Sequence, residues 1–308
     1  MAITAAMVKD LREMTGAGMM DCKKALAATD GDMDKAVEFL REKGLAAAEK
    51  KAGRIAAEGI CATSISEDGK TAAIVEVNSE TDFVAKNETF RAFVTAVVNQ
   101  AAKTSTEDID TFLAEKWDLD PSKTIKEELS SQIAIIGENM NIRRFQKVVA
   151  ENGFVESYIH GGGRIGVLVE AECAVYNDVA KEAAKNIAMQ IAAIYPKYVQ
   201  KSDVPQDYIE HEKEILKAQV ANENTGKPEN IIEKMIEGRL NKELKEICLV
   251  EQVYVKDGDL TVQKYLEAVS KELGTPISIK SFVRFETGEG LAKKEENFAD
   301  EVAKQMGM

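Results

Sequence analysis

Hydrophobic residues recur every three to four positions along the first 50 residues, a spacing that predicts three short helices. Thr4 is suited to cap the first helix, whose apolar stripe consists of Ile3, Met7, Val8 and Leu11. The second helix extends from about Met19 to Ala28, and the third ends at Gly44, a residue type that commonly follows a last helical turn. We therefore expect a small helical module, followed by a polar and basic linker at residues 50–54.

From Glu58 onward the pattern changes to alternating apolar and polar residues, which is the period of a strand. Two such runs, Gly59–Ile65 and Thr71–Val77, flank a turn-forming segment and predict a β-hairpin. A helical pattern over Asp82–Gln100 follows. The sequence thus predicts a unit of two antiparallel strands and one helix.

The same order of patterns returns later, with strands at Phe154–His160 and Ile165–Ala174 and a helix from about Asn177 to Ile194. The expected fold class is therefore α+β, with a duplicated antiparallel core. The run Asp82-Phe83-Val84-Ala85-Lys86 aligns with Asp178-Val179-Ala180-Lys181, and the second copy has no aromatic residue after its aspartate.

The second copy carries an insertion of about 50 residues with two helical patterns, Gln206–Asn224 and Glu229–Ile247, which predict an antiparallel helical hairpin. Beyond it we expect a helix near Thr261–Leu273, a strand over Ile277–Phe285 and a final amphipathic helix over about Glu295–Gln305. The predicted domains are residues 1–54, 55–147, 148–289 with the hairpin at about 200–248, and 290–308.

The polar turn after the strand that ends at Val77 is the most informative local feature. Ser79 and Asp82 have the spacing of a capping box, and Thr81 is an alternative N-cap, so the start of a helix is well specified here. Such a turn presents Phe83 at the edge of a rigid element, where it can insert into a partner. The alternative is that Phe83 folds back over its own sheet, since most large apolar side chains are buried. The missing aromatic residue in the second copy favours the first interpretation.

The chain has 308 residues, of which 40 are basic and 53 acidic, giving a net charge of −13. This charge repels phosphate groups, so it argues against direct binding of nucleic acid or of an anionic membrane and favours a protein partner. Neither a membrane span nor a signal peptide is recognisable, and we expect a cytoplasmic location. The four cysteines are widely separated and only two histidines are present, so we expect reduced, mostly buried thiols and neither a metal nor a cofactor.

A glycine-rich run at residues 161–166 matches the dinucleotide-binding pattern G-x-G-x-x-G. It is followed by Val167-Leu168-Val169, a strand pattern, and without a helix N-terminus there is no dipole or set of amides to bind a pyrophosphate. His160, just before the run, is either a catalytic base or a strand-end residue packed on its own turn. No paired Ser, Cys or Asp is identifiable near it.

Met19 and Met20 are adjacent residues of a predicted helix and point to different sides, so we expect one in the three-helix core and the other exposed. An exposed methionine is typical of an adaptable protein-binding surface, and a partly covered core methionine is the alternative. Farther along, Gly137 is expected to end a helix that buries Leu129 and Ile133.

Several of these segments together resemble the bacterial elongation factor Ts family, the nucleotide exchange factors of the GTPase elongation factor Tu. The segments that carry the resemblance are residues 11–26, Thr81-Asp82-Phe83-Val84-Ala85, Ile136-Gly137-Glu138-Asn139 and residues 160–169. The resemblance covers essentially the whole chain and implies a ubiquitin-associated-like three-helix domain, two related α+β subdomains, a helical-hairpin insertion and a C-terminal helix. One departure is Ile135, where the family commonly has lysine, and it affects a local polar contact.

What the resemblance implies is an exchange mechanism without covalent chemistry. Asp82 and Phe83, flanked by Thr81 and Val84, match the pair that inserts beside helices of the GTPase and displaces the elements holding Mg²⁺ and the GDP phosphates. Further docking positions of the family match Arg12, Met19, Met20, Lys23, Ile136, Gly137 and His160. The assembly can include a homodimer or a two-plus-two complex with the GTPase. The alternative functions are a non-catalytic scaffold or chaperone-like protein, and a nucleotide-binding enzyme that uses the glycine-rich run.

Overall fold

The structure is a computed structural model that describes residues 3–223 and 228–292. It is a mixed α+β fold in which N-terminal helices precede small antiparallel sheets. Residues 224–227, where the two helical patterns of the predicted hairpin meet, and the predicted final helix over about 295–305 lie outside the described residues. Within those ranges, no helix is both long and apolar enough to cross a membrane.

The chain begins with three packed helices, α1 (Ala5–Thr15), α2 (Met19–Ala28) and α3 (Met33–Lys51). Thr4 caps α1 as predicted, because its hydroxyl accepts a hydrogen bond from the amide of Met7 at 3.3 Å. The small core between the helices consists of Val8, Leu11, Cys22, Ala25, Leu26 and Ala36. The first two predicted helices are therefore confirmed.

The first sheet unit begins with a hairpin of β1 (Glu58–Ile65) and β2 (Thr71–Ser79), as the alternating pattern predicted. The expected helix over Asp82–Gln100 is wrong in one respect, because it is two helices, α4 (Asp82–Ala85) and α5 (Glu88–Ala101). Asn87 separates them, since its side chain accepts hydrogen bonds from the amides of Thr89 and Phe90 and so caps a new helix.

The unit continues with short elements that close its core. They are α6 (Ile109–Ala114), β3 (Lys116–Trp117), β4 (Asp120–Thr124), α7 (Ile125–Ile136) and β5 (Met140–Val149). Strand β5 pairs antiparallel with β2, so the sheet order is β1-β2-β5. Gly137 ends α7 in the left-handed conformation, with φ at 90°, which confirms it as the predicted helix stop.

Gly44 does not end the third helix, contrary to the prediction, and α3 continues for seven residues beyond it to Lys51. Gly44 is buried against α7, where a Cβ added to it would lie 3.7 Å from the Ser130 carbonyl oxygen and 3.8 Å from the Ala134 side chain. These distances are ordinary van der Waals contacts, so α7 packs against this position without requiring glycine there. Gly44 is therefore an interior residue of α3 and not a helix end.

The second sheet unit starts with β6 (Phe154–His160), β7 (Ile165–Cys173) and α8 (Asp178–Ile194), capped by Asn177. The inserted helices α9 (Gln206–Glu223) and α10 (Glu229–Ile247) pack on each other as an antiparallel hairpin. The hairpin core consists of Val204, Leu216, Val220, Ile236, Leu240, Leu244 and Cys248. The chain then forms β8 (Val253–Tyr254), β9 (Asp257–Thr261), α11 (Val262–Leu273) and β10 (Ile277–Glu286).

The two units have the same order of strands, and each contains an equivalent buried glutamine contact. Strands β10-β7-β6 form the second sheet in the same arrangement as β1-β2-β5. Gln100, at the end of α5, donates to the Lys116 carbonyl at 2.8 Å, while its own oxygen accepts from the Asp118 amide at 3.0 Å. Gln190 on α8 makes the same pair of bonds to β8 and the residue after it, at 3.0 and 2.8 Å. Each glutamine thus joins a helix to a short hairpin in the same way.

A buried carboxylate joins the two units. Glu76 on β2 is fully buried and binds Arg143 at 3.0 Å and Arg144 at 2.5 Å, neighbouring residues that both reach it because β5 is irregular at this point. The same carboxylate accepts from the Gly288 amide at 2.8 Å. The segment after β10 is therefore held against the first sheet.

Candidate functional site

The candidate site is centred on residues 81–85, called here the Phe83 ridge. Thr81 is its N-cap and accepts from the Val84 amide at 3.4 Å, so the capping-box alternative that begins at Ser79 is not the one adopted. Val84 and Ala85 are buried in the core of the first unit, whereas Phe83 is 80% exposed. The ridge is anchored by its apolar neighbours, and Phe83 does not fold back over its own sheet.

Two glutamates hold the ridge to the turn that follows α7. The Glu138 carboxylate accepts from the Thr81 amide at 3.0 Å and from the Thr81 hydroxyl at 2.7 Å. In return, Glu80 accepts from the Asn139 amide at 2.5 Å. Glu138 therefore binds the amide of the residue after Glu80, and Glu80 binds the amide of the residue after Glu138. We call this arrangement the Glu80–Glu138 latch.

The latch also includes the linker between the N-terminal helices and the first sheet. The Arg54 guanidinium lies 3.4 Å from the Glu80 carboxylate, and the Arg54 carbonyl accepts from the Asn139 side chain at 2.8 Å. Sequence reasoning assigned no role to these groups. The one available signal was the position of Glu138, directly after the helix-ending Gly137.

Asp82 lies on the solvent side of the ridge and forms an ion pair with Lys86 at 2.6 Å, one helical turn later. The hydrogen bond from Lys86 lowers the pKa of the Asp82 carboxyl below its ordinary value. Asp82 is therefore ionised at neutral pH and presents a negative charge beside the exposed Phe83 ring.

A hollow of about 280 Å³ lies next to the ridge and brings together two of the predicted segments. It is lined by Phe83, Val84, Asn87, Thr89, Ile135 and Ile136. Ile136 is half-buried and Gly137 is exposed. The predicted contact positions at residues 81–84 and 136–137 are therefore neighbours in space, joined by the hollow and by the Glu80–Glu138 latch.

The N-terminal helices meet α7 at a larger cavity of about 520 Å³, whose lining includes Arg12 and the Gly16–Gly18 turn. Ile135 lines both this cavity and the hollow beside Phe83. A Cβ added to Gly16 would lie 3.3 Å from the Ile135 side chain. The residue that departs from the family pattern thus forms an apolar link between the N-terminal helices and the ridge.

Met19 and Met20 are both exposed, by 60% and 61%, so the prediction that one of them fills the helical core is wrong. The core face of α2 is formed by Cys22, Ala25 and Leu26, and the first turn of the helix lies outside it. Arg12 and Lys23 are exposed as well. The four N-terminal candidates are therefore all accessible to a partner.

His160 lies at the end of β6, is exposed, and shares a hydrogen bond of 3.0 Å with the Tyr158 hydroxyl on the same strand. The turn after it leads directly into β7, so the helix N-terminus that a dinucleotide would need does not follow. Arg91 on α5 donates to the Gly162 carbonyl at 2.7 Å and so connects this turn to the helix after the ridge.

The cysteines and the side chains that could bind a metal can be located in the part of the chain that the structure describes. Cys22, Cys61 and Cys248 are buried, Cys173 is half-buried, and all four are free thiols, as expected. Across residues 3–223 and 228–292, no group of three or more His, Cys, Asp or Glu side chains is arranged to hold a metal ion. The accessible features of the site are thus a projecting aromatic ring, a carboxylate and exposed methionines.

Comparison with known proteins gives consistent results along the whole chain. The family model described as Elongation factor TS matches residues 80–289. A relative named Elongation factor Ts from Clostridium novyi (strain NT) is 57% identical over 304 residues, which is 99% of both chains. Relatives of the same name from Clostridium perfringens (strain SM101 / Type A) and Clostridium tetani (strain Massachusetts / E88) are 58% and 56% identical, again over 99% of both chains.

Proposed function

The chain belongs to the elongation factor Ts family, and from this premise we propose how its surface releases GDP from elongation factor Tu. The family consists of the nucleotide exchange factors of translation elongation, a cytoplasmic process, and its members exchange nucleotide without covalent chemistry. The proposal therefore concerns contacts and conformational preference, and it requires neither a cofactor nor a catalytic residue.

The Phe83 ridge is the part that acts on the nucleotide site. Phe83 inserts beside helices of the GTPase, and Asp82 and Phe83 together displace the elements that hold Mg²⁺ and the GDP phosphates. The observation that carries this assignment is the 80% exposure of Phe83 on a turn whose flanking residues are buried or hydrogen-bonded. Such a ring is presented without a large conformational change, which limits the entropy lost on binding.

Additional contacts flank the ridge on both sides. Ile136 and Gly137 extend the surface beside Phe83, and both Phe83 and Ile136 line the hollow next to the ridge. The N-terminal helices dock near the nucleotide-binding side of the GTPase through Arg12, Met19, Met20 and Lys23. His160 contacts the GTPase from the second sheet unit, which grips another domain.

The domain organisation that fits this function has four parts. Residues 1–54 form a ubiquitin-associated-like domain, and 55–147 and 148–289 form a duplicated core with a hairpin insertion at about 200–248. The fourth part, a C-terminal module expected at 290–308, lies almost wholly outside the described residues. The shared strand order and the matching Gln100 and Gln190 contacts support the duplication. A one-to-one complex and a two-plus-two complex with the GTPase both fit this organisation, and sedimentation of the mixture distinguishes them.

Thermodynamic linkage sets what the complex must do. Whatever reduces the affinity of the GTPase for GDP must itself be bound less tightly when GDP is present, by the same factor. The chain is therefore expected to bind the nucleotide-free GTPase tightly and to leave when nucleotide returns.

The test uses elongation factor Tu loaded with a fluorescent GDP and chased with excess GTP. Catalytic amounts of this chain should accelerate the loss of fluorescence, and affinity for the GTPase should fall when GDP is added. A scaffold protein would instead bind equally well with and without nucleotide and leave the release rate unchanged, and that result would exclude the exchange function proposed here.

A further inference from the structure

We propose that Glu138 is a positioning residue for nucleotide exchange, which holds the Phe83 ridge in its active geometry through the Glu80–Glu138 latch. The inference rests on the proposed function of the ridge and deepens it. It starts from the bidentate contact of Glu138 with the Thr81 amide at 3.0 Å and the Thr81 hydroxyl at 2.7 Å.

The contact determines the direction of the Thr81 hydroxyl group. Its one proton is donated to Glu138, so its lone pairs are left for the amide of Val84, which lies 3.4 Å away. The same oxygen is the N-cap of α4, the helix that begins with Asp82 and Phe83. Glu138 therefore orients the cap from which Phe83 projects.

The reciprocal bond strengthens this arrangement. Glu80 accepts from the Asn139 amide at 2.5 Å, so the ridge and the turn after α7 are joined by bonds in both directions. Hydrogen bonds to a charged acceptor are stronger than neutral ones, and two antiparallel bonds restrict rotation as well as separation. The ridge and the Gly137 turn are thus held as one rigid surface.

The second sheet unit shows that the fold itself does not require the latch. Counting from the glycines that end α7 and α11, Glu138 and Asn139 correspond to Thr275 and Pro276. Proline has no amide proton, so the bond that Asn139 makes cannot form in the second copy.

The other side of the latch is also absent from the second copy. Asn177 is the cap that corresponds to Thr81, and among the described residues its side chain bonds only its own helix, at the Ala180 amide. Val179 stands in the position of Phe83. The second copy therefore folds without an aromatic residue in the position of Phe83 and without counterparts of Glu80 and Glu138. The ring and the two glutamates occur together in the first copy, as expected if they act together.

The first measurement is made without the GTPase. In Glu138→Ala, the Thr81 amide proton should exchange with solvent about 10 to 100 times faster, because a hydrogen bond to a charged group accounts for one to two decades. Glu138→Gln keeps one acceptor for this amide and should lie between the native chain and the alanine variant. Unchanged exchange in Glu138→Ala would overturn the claim that Glu138 holds the turn.

The second measurement is the release of fluorescent GDP from elongation factor Tu over a range of concentrations of each variant. Glu138→Ala should lower the maximal release rate about tenfold and change the half-saturating concentration less, since a loose ridge impairs the step after docking. Glu138→Gln should recover most of the rate. A change confined to the half-saturating concentration would contradict a positioning role.

A double-mutant comparison shows whether Glu138 acts through Phe83. In the Phe83→Ala background, Glu138→Ala should slow release by less than about twofold, because residues that act as one unit are not additive. An undiminished tenfold loss in that background would overturn the proposal.

The matched control is Asn177→Ala, which removes the corresponding cap from the second copy. It should lower the melting temperature by about 1–3 °C, as loss of a cap does in a chain of this size, and leave the release rate unchanged. If Asn177→Ala slows release as much as Glu138→Ala does, the effect of Glu138 is one of general stability and the proposal is wrong. Unchanged release in Phe83→Ala alone would instead reject the ridge as the exchange element, while Thr81 amide exchange still reports separately on the latch.

Discussion

Replacing Phe83 by alanine should affect exchange much more than it affects folding. Full burial of a phenylalanine side chain contributes about 1.5–3 kcal/mol. Phe83 is 80% exposed in the free chain, so the remaining fifth accounts for only about 0.3–0.6 kcal/mol of folding stability. The variant should therefore unfold at nearly the same denaturant concentration as the native chain.

The effect on exchange follows from the four-fifths of the ring that a partner can cover. The same scale gives about 1.2–2.4 kcal/mol for that area, which corresponds to a release rate lowered about 8-fold to 60-fold. The ratio between the two effects, and not either value alone, is the signature of a residue that is exposed in order to bind.

The assay follows fluorescent GDP leaving elongation factor Tu, with each variant at catalytic concentration, beside denaturant unfolding of the same samples. Val179→Ala is the matched control, since Val179 occupies the equivalent position in the second copy and is 36% exposed. It should change release less than about twofold, because it removes two methyl groups at a site without an assigned contact. Equal release by the native chain and Phe83→Ala, or a loss in Phe83→Ala matched by a loss in stability, would refute the reasoning.

Further predictions concern buried and charged groups elsewhere. Gln190→Ala removes three hydrogen bonds, two to the second short hairpin and one to the Gln252 side chain, and should lower the free energy of unfolding by about 2–4 kcal/mol, measured by urea denaturation. A loss below about 0.5 kcal/mol would show that water replaces the side chain. Burial raises the pKa of the Cys61 thiol to about 12, so the folded chain should not be alkylated there at pH 8, as peptide mapping can test. Rapid labelling of Cys61 without unfolding would contradict its burial. Lys86→Ala should raise the pKa of Asp82 toward its ordinary value, seen by carbon-13 NMR titration, and an unchanged titration would show that the ion pair is absent in solution.

Elements with local signals were predictable from the sequence. The hairpin β1–β2 and its counterpart β6–β7 each consist of two runs rich in strand-forming residues with a turn-forming segment between them. Thr4 and Gly137 act as the caps that their residue types suggest. In each case the residues that decide the structure are close together in sequence, so pattern and propensity point to the same answer.

Elements that depend on distant partners were not predictable in the same way. Strand β5 went unrecognised because Arg143 and Arg144 interrupt its apolar pattern. Their partners are far away in sequence, since they pair with the buried Glu76 and with the segment that contains Glu289. Gly44 looked like a helix end because the approach of α7 cannot be inferred from its neighbours. The break at Asn87 was readable in principle, since asparagine is a good N-cap.

The candidate site also contains one residue with a local signal in the sequence and one that depends on a distant partner. The exposure of Phe83 was anticipated from a local turn and from the absence of an aromatic residue in the second copy, and it is observed. Glu138 was passed over because its partner Thr81 is 57 residues away, and a lone glutamate after a helix usually faces solvent. Long-range hydrogen bonds leave no periodic signal in a single sequence, so the residues that hold a functional group are harder to find than the group itself.

The magnitudes explain why holding the ridge matters. An acceleration of GDP release by about a thousandfold requires about 4 kcal/mol of preference for the open GTPase, more than the roughly 2.4 kcal/mol that Phe83 can supply. In the mechanism we propose, the remainder comes from contacts of residues such as Met19, Met20 and His160, which contribute jointly only if they reach the partner in a fixed arrangement. Ile135 and the Glu80–Glu138 latch connect the N-terminal helices, the linker and the ridge in that way. Since coupling is reciprocal, the same set of contacts also determines how readily returning nucleotide displaces the chain.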